Sequence, residues 1–553
     1  MNKNKITEKF SDSKLLKMGL ILTAFVLPHL ALKILGIEID VNPFVLTGVL
    51  FTGFIFFLFL LDKSIKHPVI PYFLLQLTIV WIFFGKKILS PFGLDFKPHA
   101  VIFLLAFLCS GYFLITKFKY LWAYRPFRYI FGFFLISTVY AVFYKTDFRS
   151  SSYIDLWIQS NAGLKFNALG SGAAAVSRNF GSSETKFLIY LAGLAPLVAF
   201  LTGFNSFSQI SDTQELKNKL YKLMSFISIS VLIYYLFWMV SIIIGSSTVT
   251  FMNGRLTFNG GVPGGDFEAI LLMLMITSYY FYPFNHENFK FYKTFKTITL
   301  INIVILLLLI LLGIKKGTIL SLGTVGFAVF GIIFAVKKLT GKNFISNIIP
   351  QKNKVPETAK SFNPMMFFVP VLLLAPVMFI NTGFVEDTIY NISNRFASTS
   401  TLDIRMINWD MYITYWMNNL DLHKFLFGFG IDSSREATFF LTAMHPNPSY
   451  QQPHIHNIYL EMFYNYGLMA FLFFLPFVFI LQENLKDIFI DTSKSKIRIF
   501  NVLSVGVIVF FLVFYLAESP SMTSIIITFA LLGFLESIRR AAGQRGEIIT
   551  KNG

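Results

Sequence analysis

The sequence predicts an all-α protein: a polytopic membrane helical bundle of about 12–14 transmembrane helices with a long extracytoplasmic loop bearing short helices. Three observations carry this. Long apolar runs recur from residue 15 to residue 538, separated mostly by short links. The composition, 55% hydrophobic with 67 Phe and only 14% charged residues, is not that of a soluble domain. Lysine and arginine gather in alternate links, as retention of positive loops on the cytoplasmic side requires. The runs are too long and too continuously apolar for barrel strands, which alternate.

The first run, 15–36, follows the basic segment MNKNKITEKFSDSKLLK and has no small-residue cleavage site, so it reads as a first transmembrane helix and not as a signal peptide. Further runs lie at 44–61, 70–84, 100–116, 128–144, 186–203, 223–246, 267–283, 298–313, 317–336, 365–380, 458–482, 498–517 and 521–538. With the N-terminus inside, the links near 286–296 and 337–360 and the tail with Arg539, Arg540 and Arg545 all fall inside, in agreement with the positive-inside rule. Lys86 and Lys87 are the exception. The same parity puts 145–185, the link around Arg255, the turn at Lys315–Lys316 and the stretch 381–457 outside. The organisation expected is 1–222 as N-terminal helices with an outer loop, 223–480 as a central region with the outer loop 381–457, and 481–553 as C-terminal helices and cytoplasmic tail.

The net charge of +18 raises nucleic acid as a partner, but the basic residues sit in short membrane links, so nucleic acid is excluded. The single cysteine, Cys109, excludes an intrachain disulfide and a multi-cysteine metal site. The spans are read as nearly charge-free, with Glu461 and Lys33 near ends as exceptions. The segment 145–185, rich in Ser, Gly, Ala and Asn, is either an outer loop with short helices or a plain connector.

Cations on the outer side need a reason. In STSTLDIRMINWD, Ser400 and Asp403 have capping-box spacing, and Met406, Trp409, Ile413, Trp416 and Leu420 recur as one apolar stripe, which suits a helix at the membrane–water boundary. Arg405 near its start either grips phosphate oxygens or pairs with lipid headgroups or Asp403. Arg255 lies in a glycine-dense link, where backbone N–H groups approach a ligand closely; the alternative is an interfacial arginine reaching headgroups. Lys315 and Lys316, in a very short turn, either face a diphosphate or anchor the boundary. His456 and Asn457 stand just before a span, so Asn457 is an N-cap candidate and the helix dipole disfavours a protonated imidazole. A neutral histidine is what a general base requires; the alternative is a histidine that only bonds to backbone. A metal site from His445, His454 and His456 is a weak reading, because no carboxylate cluster accompanies them.

His456-Asn457, nine residues, then Gly467-Leu-Met-Ala470 resembles the H-N-x9-G-x-x-small signature of the O-antigen ligase and O-antigen polymerase superfamily. Other landmarks follow in the same order: Arg255-Leu-Thr-Phe, then Lys315-Lys316-Gly317-Thr318, then Arg405 to Trp409, then Leu426-Phe-Gly-Phe-Gly430. The resemblance is clearest over 225–480. It departs at Lys316, which stands for the usual Arg and lacks its bidentate fork, and at Pro263-Gly-Gly-Asp, which stands where a Pro-Asn pair is common.

The resemblance implies a membrane glycosyltransferase that moves glycan from an undecaprenyl-diphosphate carrier to a hydroxyl acceptor, without nucleotide sugar, metal or other cofactor. It implies a multi-pass protein of the bacterial inner membrane with its active site facing the periplasm. His456 would be the base, and Arg255 and Arg405 would bind the diphosphate. Lys315, Lys316, Asn457, Trp409 and His454 are the further expected substrate-binding residues. The expected partners are the lipid-linked glycan, an acceptor glycan or lipid A core, and membrane lipid. A protein acceptor stays open, as does the choice between ligase and polymerase. The alternative from another class is a lipid-linked oligosaccharide flippase; against it stand the nearly charge-free spans and the cations gathered on one outer face.

Overall fold

The computed structural model describes residues 98–143, 183–207, 213–243, 249–252, 255–258, 265–282, 291–313, 316–340, 400–430, 455–489, 498–516 and 522–551, with Leu75, Ile210, Ser433, Ser434 and Glu518. The runs expected at 15–36, 44–61 and 365–380, and all of 70–84 but Leu75, lie outside these residues, as does most of the outer segment 145–185. Lys33, Lys315, His445 and His454 also lie outside them.

Every apolar run expected within the described residues is helical. In chain order the helices are α1 (Pro98–Trp122), α2 (Arg125–Phe143), α3 (Ser183–Phe207) and α4 (Thr213–Ile243). The hairpin strands β1 (Val249–Met252) and β2 (Arg255–Phe258) follow, then α5 (Asp266–Phe281), α6 (Tyr292–Gly313), α7 (Lys316–Thr340), α8 (Ser400–Asn418) and α9 (Leu422–Phe427). The chain ends with α10 (Ile458–Tyr466), a 3-10 turn (Gly467–Ala470), α11 (Phe471–Phe489), α12 (Arg498–Phe514) and α13 (Met522–Lys551). Among the described residues, Gln214–Leu236, Tyr292–Leu311, Lys316–Lys338 and Ile458–Phe489 are long and apolar enough to cross a membrane. The chain is thus an all-α, multi-pass membrane protein; among the described residues the one local addition is the two-stranded antiparallel hairpin with Met252 opposite Arg255. The sequence between its strands is Asn-Gly, a favoured hairpin turn.

Without water to drive apolar surfaces together, membrane helices associate by close packing and polar contacts. The seam between α3 and α13 shows the first. A Cβ on Gly203 would run into the Ala530 carbonyl, and one on Gly533 into the Phe200 carbonyl, so the two backbones touch where side chains are missing. Phenylalanines fill the other seams; Phe477 of α11 stacks on Phe511 of α12 at 4.9 Å.

Polar contacts mark both ends of α2. At its start, the Tyr124 hydroxyl donates to Glu536 at 2.6 Å. Glu536 is fully buried and also accepts from Asn484 at 2.8 Å and Arg539 Nε at 2.9 Å. Arg539 lies 3.4 Å from both Glu483 and Asp487. This corrects the reading of the spans as charge-free apart from Glu461 and Lys33: Glu536 lies inside the expected span 521–538 and is held there because its partners replace water. At the other end of α2, the Tyr140 hydroxyl donates to the Phe427 carbonyl at 2.7 Å, and Ser137 donates to the Tyr466 hydroxyl at 3.2 Å. That end carries the outer layer, α8 to α10.

Candidate active site

The expected single span at 458–482 is broken. Gly467, at φ 56°, ends α10, and a 3-10 turn re-aims the chain into α11. Gly428 (φ 76°) ends α9 and lies against this break. A Cβ on Gly428 would sit 2.6 Å from the Gly467 nitrogen, and one on Gly467 would sit 2.5 Å from the Gly428 nitrogen. Two glycines are needed because both backbones adopt left-handed conformations at contact distance. The junction is sewn by Phe429 N to Tyr464 O at 2.7 Å and Ser434 N to Asn465 Oδ1 at 3.0 Å. The glycine of the H-N-x9-G pattern thus serves to dock the outer layer on the returning helix.

At the start of α10, Asn457 is the N-cap the sequence predicts: its side-chain oxygen accepts from Tyr459 N at 3.0 Å and Leu460 N at 3.1 Å. His456, just before it, has φ 54°, the only non-glycine residue with positive φ among the described residues. Such a conformation persists only where neighbours enforce it, and it clusters at functional sites. The enforcement is visible. Ile455 and Ile458 on either side are buried. The Ile455 carbonyl accepts from the Trp409 indole at 2.8 Å, and Ile458 N donates to the Tyr515 carbonyl at 3.0 Å.

His456 does not stand alone. Its Nδ1 lies 3.4 Å from Glu518 Oε2, and Arg405 Nη2 lies 3.0 Å from Glu518 Oε1. At 3.4 Å the first contact is long for a hydrogen bond, as catalytic contacts often are before substrate binds. Burial pushes the Glu518 carboxyl up, but His456 and Arg405 outweigh it and hold the carboxyl at about 2. A permanent carboxylate on Nδ1 sets the imidazole's tautomer and puts Nε2 on the far side of the ring. Glu518 was missed in the sequence. The signal was there: it occupies the short link between the expected spans 498–517 and 521–538, on the same side by parity as His456.

The remaining expected residues divide. Trp409 and Asn457 lie at the site, but their polar atoms engage the protein itself, so the structure gives them positioning contacts. Arg405 pairs with Glu518 of a distant link and not with Asp403. The stripe expected to unite Met406, Trp409, Ile413, Trp416 and Leu420 is split: Trp409 and Trp416 pack on Tyr412, Phe429, Ile455 and Tyr464, whereas Met406 and Ile413 are exposed. The period was right, but Tyr412 faces inward and rotates the buried face. Lys316 is the exposed first residue of α7, and Gly317 lies against Phe514 at the end of α12, four residues before Glu518. Thr318, in the first turn of α7, is fully buried with its hydroxyl unpaired. For Arg255 the backbone is described and opens β2, which packs against α6; its side chain is not among the described residues. The strand leads into α5, whose first residue, Asp266, accepts from the Tyr515 hydroxyl.

Comparison with protein families matches residues 301–475 to the O-antigen ligase family. The matched segment includes Lys316, Arg405, Trp409, His456, Asn457 and Gly467, and it leaves out Arg255 and Glu518. No curated protein matches the chain.

Proposed function

Because the chain carries an O-antigen ligase domain, and so belongs with the O-antigen ligase and polymerase superfamily of membrane glycosyltransferases, we propose that it transfers glycan from an undecaprenyl-diphosphate carrier to a hydroxyl acceptor at the end of the bundle that bears His456. The observation that carries this is Glu518 between Arg405 and His456, beside the strained start of α10.

In the proposed reaction the acceptor oxygen attacks the anomeric carbon of the donor sugar. The bond from that carbon to the diphosphate oxygen breaks, its electrons leave with the lipid diphosphate, and the hydroxyl proton passes to His456 Nε2. Proton transfer of this kind contributes about 10²–10⁴ in rate. The charge growing on the leaving diphosphate is met by Arg405, Arg255, Lys315 and Lys316; fixed cations aimed at developing charge are usually the largest catalytic effect. Glu518 keeps His456 oriented and then stabilises its imidazolium. The site faces the periplasm of a bacterial inner membrane, where such carriers present their glycans. The acceptor is lipid A core or a further glycan repeat.

The test is the surface glycan of cells lacking this chain. Core bearing one repeat identifies a polymerase; bare core with lipid-linked polymer accumulating identifies a ligase. His456→Ala in the restored chain is expected to reproduce that phenotype with normal membrane insertion. Normal-length polysaccharide in the His456→Ala strain would remove His456 from the chemistry. Arg255→Lys is expected to lose more activity than its unchanged charge suggests, because Lys lacks the bidentate fork; full activity would argue against a two-bond phosphate contact.

A further inference from the structure

Four helices begin against the end of α12. The carbonyl of Tyr515, just past that helix, accepts from Ile458 N of α10 at 3.0 Å, and the Leu512 carbonyl accepts from the Tyr459 hydroxyl at 2.8 Å. Gly317, in the first turn of α7, lies against the Phe514 ring. The Tyr515 phenol donates to Asp266, the first residue of α5, and also meets Ser524 at the start of α13. Glu518, which holds His456 and Arg405, follows within the same short link. Tyr515 therefore touches both sides of the site. Its backbone fixes the start of α10 beside His456, and its side chain reaches the helix that follows the Arg255 hairpin.

A two-stranded hairpin is marginally stable by itself, so its orientation must come from what it is tied to. Strand β2 packs on α6. Residues 259–264, between β2 and α5, lie outside the described ones. Where the link enters α5, Glu268 accepts from Gly265 N at 3.0 Å and Asp266 accepts from Tyr515, so two successive residues are held. The two bonds differ in reach. Glu268 bonds within its own helix start, whereas Asp266 bonds across to the residue that carries the His456 turn. A carboxylate acceptor makes the second bond one of the stronger kind. We propose that Asp266 and Tyr515 are a positioning pair, whose hydrogen bond sets the Arg255 hairpin against the His456–Glu518 unit so that cation and base face one donor headgroup. The role given to Arg255 rests on the proposed glycan transfer; the coupling of the hairpin to α12 does not.

The Tyr515 ring packs on Phe511 at 4.7 Å and on Phe514 at 4.9 Å, and Tyr515→Phe keeps that packing while removing the hydroxyl. Asp266→Ala removes the acceptor, and Ser524→Ala removes the phenol's other partner. Full-length wild type, these three variants, the Tyr515→Phe/Asp266→Ala double and His456→Ala would be compared in lipid nanodiscs by hydrogen exchange with mass spectrometry. Amide exchange over 249–258 is expected to quicken about tenfold in Tyr515→Phe and in Asp266→Ala, with the double no faster than either and with 458–466 unchanged. Ser524→Ala and His456→Ala are expected to match the wild type over 249–258. Unchanged exchange there in either single variant, equal quickening of 458–466, or a double faster than both singles would overturn the proposal. In a transfer assay, Tyr515→Phe is expected to lower kcat/KM about tenfold in the wild type but to leave the residual rate of Arg255→Ala unchanged. The same loss in both backgrounds would show that Tyr515 does not act through Arg255. If exchange follows the expected pattern while His456→Ala still transfers glycan at the wild-type rate, the transfer reading fails and the coupling stands.

Discussion

His456 combines an unfavourable backbone with a favourable electrostatic setting. Its left-handed φ of 54° costs about 1–3 kcal/mol, which neighbouring contacts must offset. His456→Gly is therefore expected to raise thermal stability in detergent by about 1 kcal/mol while abolishing transfer; a loss of stability would show that the ring itself holds the turn. Glu518→Gln keeps the shape and removes the charge between Arg405 and His456. Its kcat is expected to fall about 10²-fold or more with KM little changed. An unchanged kcat would dismiss Glu518 from orienting the imidazole. The pH dependence follows from the sign of the shift. A carboxyl depressed from 4.5 to about 2 contributes stability that is complete above 4.5 and is lost as pH falls toward 2. The docking of α8 on the α12–α13 link, followed by limited proteolysis, is expected to survive mild acid and to loosen only within that window. Loosening between pH 5 and 7 would contradict it.

At the scale of elements, the outer layer is held by close backbone contact as well as by the buried Tyr412, Phe429, Ile455 and Tyr464 cluster. Gly428 and Gly467 face each other with left-handed backbones, so Gly428→Ala or Gly467→Ala adds strain of about 1–3 kcal/mol and a backbone clash. Both are expected to expose residues 400–430 to protease with the helix content kept, and an unaltered digest would show that the junction can shift. The N-cap of α10 is a gentler lever: Asn457→Ala costs about 1 kcal/mol and Asn457→Asp restores it. If capping is what Asn457 does, activity follows the same order. The periodic residues of α8 were legible as a helix, and its start at Ser400 agrees with the expected boundary. Which face it buries was not legible, since Trp409 and Trp416 suit an interface and a core equally, and only Tyr412, Phe429 and Tyr464 decide it.

At the scale of the molecule, two charged stations among the described residues lie at opposite ends of α2. One is the Arg405–Glu518–His456 site. The other, at the opposite end of α2, is Glu536 with Tyr124, Asn484 and Arg539. Removing a fully buried carboxylate leaves its cation poorly compensated, so Glu536→Ala is expected to cost about 3 kcal/mol in detergent unfolding. Because that station is remote from His456, the kcat of the surviving folded protein is expected to be unchanged; a fall in kcat without a loss of stability would tie the two ends together.

Sequence alone determined the membrane class, the helical spans within 98–551 and the candidacy of Arg405 and His456. These are local properties: run length, period and charge count do not depend on what lies beside them. The tertiary structure decided that Glu518 joins Arg405 to His456, that Gly428 meets Gly467, that a buried acid sits in the last helix, and that Tyr515 meets Asp266. Each of these pairs residues far apart in the chain. A contact of that kind exists only once close packing has chosen which helix faces meet.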